Sequence, residues 1–116
     1  MKPPIFRPAA AADVEDAYRW YEDQRAGLGD EFLAAVSTVI ESLVTYPERF
    51  PVVYRQTRRA NLRRFPYSLF YRIIDDQVVV VACMQGRRQP RRWQSRLMAN
   101  HWVEKVAADR ASHPKR

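Results

Sequence analysis

A chain of 116 residues with 47% hydrophobic composition can bury one core and has nothing to spare for a second, so a single domain is expected. The longest apolar run is the seven residues from Val78 to Met84, well short of the roughly 20 needed to cross a bilayer, which excludes a helical membrane span. The formal charge of +7 is unevenly placed: Met1 to Val53 carries five basic and nine acidic residues, whereas Tyr54 to Arg96 carries eleven arginines against Asp75 and Asp76 alone.

A charge so concentrated steers encounter with an anionic partner, whether nucleic acid, an acidic protein surface or an acidic peptide. The competing reading is a solvated basic face that serves solubility. Met1-Lys2-Pro3-Pro4-Ile5 leads into no apolar stretch and no small-residue cleavage site, so the expected location is the cytoplasm. Cys83, the single cysteine, lies inside the valine run and reads as an inert core thiol.

In chain order, Ile5-Phe6-Arg7 is a brief strand at a sheet edge, ended by Pro8. From Ala9 to about Gln24 the spacing of Val14, Ala17, Tyr18 and Tyr21 predicts an amphipathic helix, with Asp13, Glu15 and Asp16 supplying negative charge to its opening turns. Gly27-Leu28-Gly29 interrupts it, and Asp30 is the expected cap of a second helix. Phe32, Val36, Val39, Ile40 and Leu43 make one apolar stripe on that helix, and Tyr46-Pro47 ends it.

Sheet follows. Val52-Val53-Tyr54 reads as a short extended piece, Ala60 to Arg64 as a strand, Tyr67 to Ile74 as the next and Val78 to Gln85 as the last. Phe65-Pro66 and Asp75-Asp76-Gln77 are connections short enough to force antiparallel neighbours. Seven apolar residues without alternation predict that the Val78 strand is central and covered on both faces. Beyond Pro90, the spacing of Trp93, Leu97, Met98, Trp102 and Val106 predicts a helix from about Arg91 to Asp109, with a frayed tail after it. The expected fold class is therefore α+β, a helical pair on a small antiparallel sheet in the order β-α-α-β-β-β, with one domain over 1–93 and a helical extension with a frayed tail over 94–116.

The sequence has no glycine-rich phosphate loop, no Cys/His ligand set and no spacing that recommends a Ser-His-Asp triad, and its two histidines, His101 and His113, lie near the C-terminus. No metal or cofactor is expected. What stands out is a set of guanidinium groups, Arg58, Arg59, Arg63, Arg64, Arg72, Arg87, Arg88, Arg91 and Arg92, interleaved with Phe65, Tyr67, Tyr71 and Trp93. Arginine offers a planar fork of donors to phosphate or carboxylate and stacks on rings, so this mixture suits a recognition surface. It also suits cleavage of RNA by its own 2′-hydroxyl, in which arginine stabilises charge on phosphorus while tyrosine, histidine or a carboxylate moves protons. Alternatively Tyr67 and Tyr71 are half-buried sheet residues and the arginines pair with the acids of the helices. Arg63, Arg64, Arg72, Arg87, Arg88 and Arg91 are expected to form one patch near the end of the Val78 strand.

The order of elements, with Tyr46-Pro47-Glu48 closing the second helix, Leu62-Arg63-Arg64-Phe65-Pro66-Tyr67 leading into Phe70-Tyr71-Arg72-Ile73, and Gly86-Arg87-Arg88-Gln89-Pro90 after the valine strand, resembles the RelE/ParE superfamily of bacterial type II toxins, which includes plasmid stabilisation proteins. The resemblance covers about Ile5 to Trp93. It implies a toxin neutralised by a cognate antitoxin whose extended or helical tail wraps around it, in a homodimer or toxin–antitoxin hetero-oligomer. It also implies one of two targets: DNA gyrase, inhibited by ParE-like members, or messenger RNA in the ribosomal A site, cut by RelE-like members.

Ribosome-dependent relatives often place a catalytic arginine after the tyrosine that opens the third strand, where this chain has Ser68, and many carry histidine before Gly-Arg-Arg, where it has Gln85. Those departures favour the gyrase-directed reading. The surface for target or antitoxin is then expected at Arg63, Arg64, Tyr71, Arg72, Arg87, Arg88, Arg91, Arg92 and Trp93, and a nuclease would instead use Arg88, Tyr67 and Arg72. A third reading is a non-toxic antitoxin-binding or regulatory partner.

Overall fold

The computed structural model describes residues 2–86 and 92–97. The elements are β1 (Ile5–Phe6), α1 (Pro8–Gln24), α2 (Leu28–Thr45), β2 (Val52–Tyr54), β3 (Thr57–Asn61), β4 (Ser68–Ile74) and β5 (Gln77–Met84). A helical turn over 92–97 follows. The strands make one sheet in the order β1-β5-β4-β3-β2, so the α+β class and the β-α-α-β-β-β core are as expected. Two details differ. β1 runs parallel to β5, which makes the sheet mixed, and β4 is the middle strand with β5 beside it.

Pro8 ends β1 and opens α1, where a missing N–H is harmless because no intrahelical acceptor exists for it. With the helix starting there, Asp13 falls beyond the first turn, which contains no acidic residue, so the expected dipole role is not filled. The second helix begins at Leu28 rather than after Asp30. Gly27 adopts φ 90°, a left-handed conformation that glycine tolerates, and the Glu22 carboxylate accepts from the N–H groups of Gly27 at 3.0 Å and Gly29 at 2.9 Å. A residue of the preceding helix therefore supplies the cap that Asp30 was expected to supply.

Two hairpins turn in two residues each. Asp75 and Asp76 both have positive φ, 50° and 62°, as the twist of a tight hairpin requires, and Arg55 has φ 51° in the other. The strand expected over Ala60 to Arg64 lies at Thr57–Asn61 because the Arg55-Gln56 turn starts it early. At its far end Arg64, at φ 70°, has left extended geometry.

The sheet buries side chains on both faces. Toward α1 and α2 it presents Ala60, Leu69, Tyr71, Val78, Val80 and Cys83, packed with Ala17, Tyr21, Phe32, Val36, Val39 and Leu43. The opposite face carries Phe70, Val79, Val81 and Ala82 beneath Trp93 and Leu97. Phe70 pairs with Ala82 while Tyr71 pairs with Val80, so Val81 is an extra residue that bulges β5 and puts two consecutive side chains on one face. The Val78 strand is covered on both sides, as its composition predicts. The helix expected to Asp109 is seen over 92–97, and its remainder, with His101, Trp102 and Val106, lies outside the described residues.

Candidate interaction surface at the end of the sheet

Ser68 opens β4 opposite both Asn61 on β3 and Met84 on β5, so three strands reach their ends together. The Ser68 hydroxyl donates to Asn61 Oδ1 at 2.6 Å. Gly86 passes directly over it: a Cβ there would stand 2.6 Å from Ser68 Oγ, so only glycine fits. The Gly86 carbonyl accepts from Trp93 Nε1 at 3.0 Å and from Arg59 Nη1 at 3.4 Å, the Arg59 guanidinium lies 5.9 Å from the Trp93 ring, and that ring stacks on Phe70 at 5.2 Å. The glycine of the Gly-Arg-Arg segment is thereby held at the end of the sheet. Arg87, Arg88 and Arg91 lie outside the described residues.

The remaining expected site residues separate. Arg63 is exposed, and Arg64 pairs with Glu31 at 2.9 Å. Glu31 also receives Arg25 at 2.7 Å, and these two guanidinium bonds hold its carboxyl below the usual range. Arg92 is exposed beside a groove. Arg72 does not join them: it pairs with Val79, four residues and about 13 Å along β4 from Ser68, and donates to Gln56 Oε1 at 3.1 Å. Burial and the nearby Arg7 charge lower its pKa. Among the described members of the expected patch, Arg72 therefore stands apart from Arg63 and Arg64, which precede the Ser68 end of β4.

Tyr71 and Trp93 are interior residues, at 0% and 5% exposure, and not parts of an accessible surface. Tyr71 donates its hydroxyl to the Pro47 carbonyl, and desolvation raises its pKa. Tyr67 is half-buried, with its ring 5.3 Å from Phe32 and 6.0 Å from Tyr21.

Three residues matter more than their sequence context suggested. Beyond the two-residue β1 the outer edge of β5 would be left open, and there the Asp13 carboxylate accepts from the Cys83 N–H at 3.0 Å while pairing with Arg96 at 3.1 Å. Arg59 and Asn61 anchor the Gly86 turn as described. No local pattern marks the Asp13–Arg96 pair, 83 positions apart. Arg59 belongs to the arginine set, but only the ladder shows that it faces Phe70. Burial, reinforced by the Asp13 charge, pushes the Cys83 thiol up to about 12, which keeps it unreactive at neutral pH.

Two grooves of about 670 Å³ flank this end of the sheet. One, between α1 and the end of β5, is lined by Asp16, Trp20, Tyr21, Tyr67, Gln85 and Arg92. The other lies between α2 and β3. Among the described residues no group of three or more His, Cys, Asp or Glu is placed to hold a metal ion.

Residues 5–90 match the family model for the ParE toxin of the type II toxin–antitoxin system parDE. No curated protein matches the chain. A solved structure described as the chromosomal ParDE TA system from P. aeruginosa superposes with a TM-score of 0.56 at 20% identity, covering 73% of this chain and 96% of that one, which shows a common fold. From β1 through the Gly86 turn the match is continuous, and the chain belongs to the ParE toxin family of type II toxin–antitoxin systems.

Proposed function

We propose that this protein is a toxin that acts in the cytoplasm by inhibiting DNA gyrase and is neutralised by a cognate acidic antitoxin. Beyond family membership, the observation that carries this reading is the environment of Ser68. The position where ribosome-dependent relatives often place a catalytic arginine is 1% exposed, bonded to Asn61 and pressed against Gly86. A neutral, enclosed hydroxyl can neither stabilise charge on a phosphate nor reach one. Gln85 is exposed but cannot transfer a proton at neutral pH. Within this reading the arginines near Gly86, including Arg87, Arg88 and Arg91, bind rather than catalyse.

The test is a pair of assays on one purified sample: gyrase supercoiling with detection of the cleavage complex, and primer extension on messages from a translating extract. Gyrase inhibition with intact message is the expected result. Ribosome-dependent cuts would replace this reading with the nuclease one, with Arg88, Tyr67 and Arg72 as the residues to examine. Neither activity would leave a non-toxic antitoxin-binding partner.

A further inference from the structure

The groove between α1 and the end of β5 is lined by an acid and a base that do not pair with each other. Asp16 and Arg92 both face it, and both are exposed. Among the described residues neither takes part in an ion pair or a hydrogen bond. Arg19, three residues along α1 from Asp16, is held by Glu15, and Arg96 is held by Asp13. The two charges therefore stand further apart than an ion pair allows, with an opening of about 670 Å³ beside them. That volume lies within the roughly 300–1,000 Å³ of small-molecule sites.

Trp20 lies one helical turn beyond Asp16 on α1 and lines the same groove. It is 56% exposed, and Tyr21 meets it at 86° with ring centroids 5.1 Å apart, an edge contact that takes up no more than one indole face. On the sheet side stand half-buried Tyr67 and exposed Gln85. The groove thus combines a flat apolar face, an acceptor-only carboxylate, an amide and a guanidinium. A cationic side chain would suit Trp20 and Asp16 but be opposed by Arg92. A nucleic acid strand needs a succession of cations along its path, and Asp16 interrupts one here. All four groups are used by a small molecule with a flat ring, adjacent N–H donors, an acceptor and one anionic end.

We propose that this groove binds a free guanine nucleotide. The base stacks on Trp20, Asp16 accepts from guanine N1–H and N2–H, the Gln85 amide donates to O6, and Arg92 pairs with the phosphate. Adenine turns an acceptor at N1 toward Asp16 and leaves the carboxylate facing a lone pair, so the base is selected by hydrogen bonding as well as by shape. The inference does not rest on the gyrase reading, which neither its success nor its failure would alter.

The test titrates the full chain with GMP by isothermal calorimetry, with AMP, XMP, guanosine and the heptanucleotide r(UUUGUUU) as comparators. The three side chains to be changed are exposed, and thermal unfolding midpoints check that each variant folds. GMP is expected to bind roughly tenfold more tightly than AMP or XMP. Asp16→Asn turns one acceptor into a donor and should reverse the order, weakening GMP roughly tenfold and strengthening XMP, whose C2 carbonyl replaces the guanine amino group. A merely structural role for Asp16 would not produce that exchange. Trp20→Ala should weaken GMP roughly tenfold, and Trp20→Phe should retain most of the binding. Arg92→Ala should bring GMP to the level of guanosine, leave guanosine unchanged and remove the salt dependence.

GMP binding no tighter than that of AMP, or unmoved by Asp16→Asn and Trp20→Ala, would overturn the proposal. Tighter binding of r(UUUGUUU) than of GMP would overturn the free nucleotide as occupant in favour of a guanine within RNA. Binding of arginine amide as tight as that of GMP, and lost in Asp16→Asn, would replace the base with a cationic side chain.

Discussion

The helix-covered face of the sheet is closed by two elements of 17 and 18 residues, whereas among the described residues the opposite face is covered by a helical turn over 92–97. The first closure is broad and apolar: Phe32 is fully buried, and the rings of Tyr21, Phe65 and Tyr67 lie within 5.4 Å of its own. The second, as far as the described residues go, is made by Trp93 stacked on Phe70, buried Leu97, one indole hydrogen bond to Gly86 and the Arg96–Asp13 pair. Burial of area decides stability on one side, and a few directional contacts decide where the chain goes on the other.

Substitutions that distinguish the two closures should therefore differ in size. Val80→Asp buries an unpaired carboxylate beneath the helical pair and is expected to abolish the cooperative unfolding transition, since domains hold only about 5–15 kcal/mol in reserve. Phe32→Ala should fold but lose about 3–5 kcal/mol in urea unfolding, with the slope preserved.

On the other side, Gly86→Ala forces a Cβ against Ser68 and should cost about 1–3 kcal/mol, partly restored by adding Ser68→Ala, which removes the nearest clashing atom. Asp13→Ala removes the acceptor of the Cys83 N–H and the partner of Arg96. Both side chains keep some solvent contact, so the expected loss is only about 1–2 kcal/mol, with amide exchange at Cys83 accelerated more than at Val80.

The smallest effect is one of pH. Tyr71 holds its proton more tightly folded than unfolded, so its contribution is fully present below the ordinary tyrosine pKa of about 10 and is lost as pH rises through the raised folded value. Tyr21 behaves alike, its pKa raised by burial and by Tyr67 and Cys83. The midpoint of thermal unfolding should fall as pH rises above about 10, and Tyr71→Phe should flatten the fall. An unchanged alkaline slope would mean that Tyr71 is not enclosed under Pro47.

The helical pair was legible because a stripe such as Phe32-Val36-Val39-Leu43 repeats over about three turns, and periodicity of that length reports which side faces a core. The valine run showed that β5 is covered on both faces. It did not show which residues share a face, because the bulge at Val81 shifts the alternation and a bulge leaves no mark in a string of apolar residues. The arginines were visible as a population, but their grouping was not: Arg63 precedes the Ser68 end of β4, while Arg72 lies four residues along that strand.

Composition, spacing and turn chemistry determined the class of fold and the family resemblance, because each is a property of short stretches of chain. The tertiary structure alone decided that Asp13 guards the edge of β5 with Arg96 and that Glu22 caps α2. These depend on pairing register and on contacts spanning up to 83 positions, and a hydrogen bond between distant residues carries no local signature until the chain has closed around it.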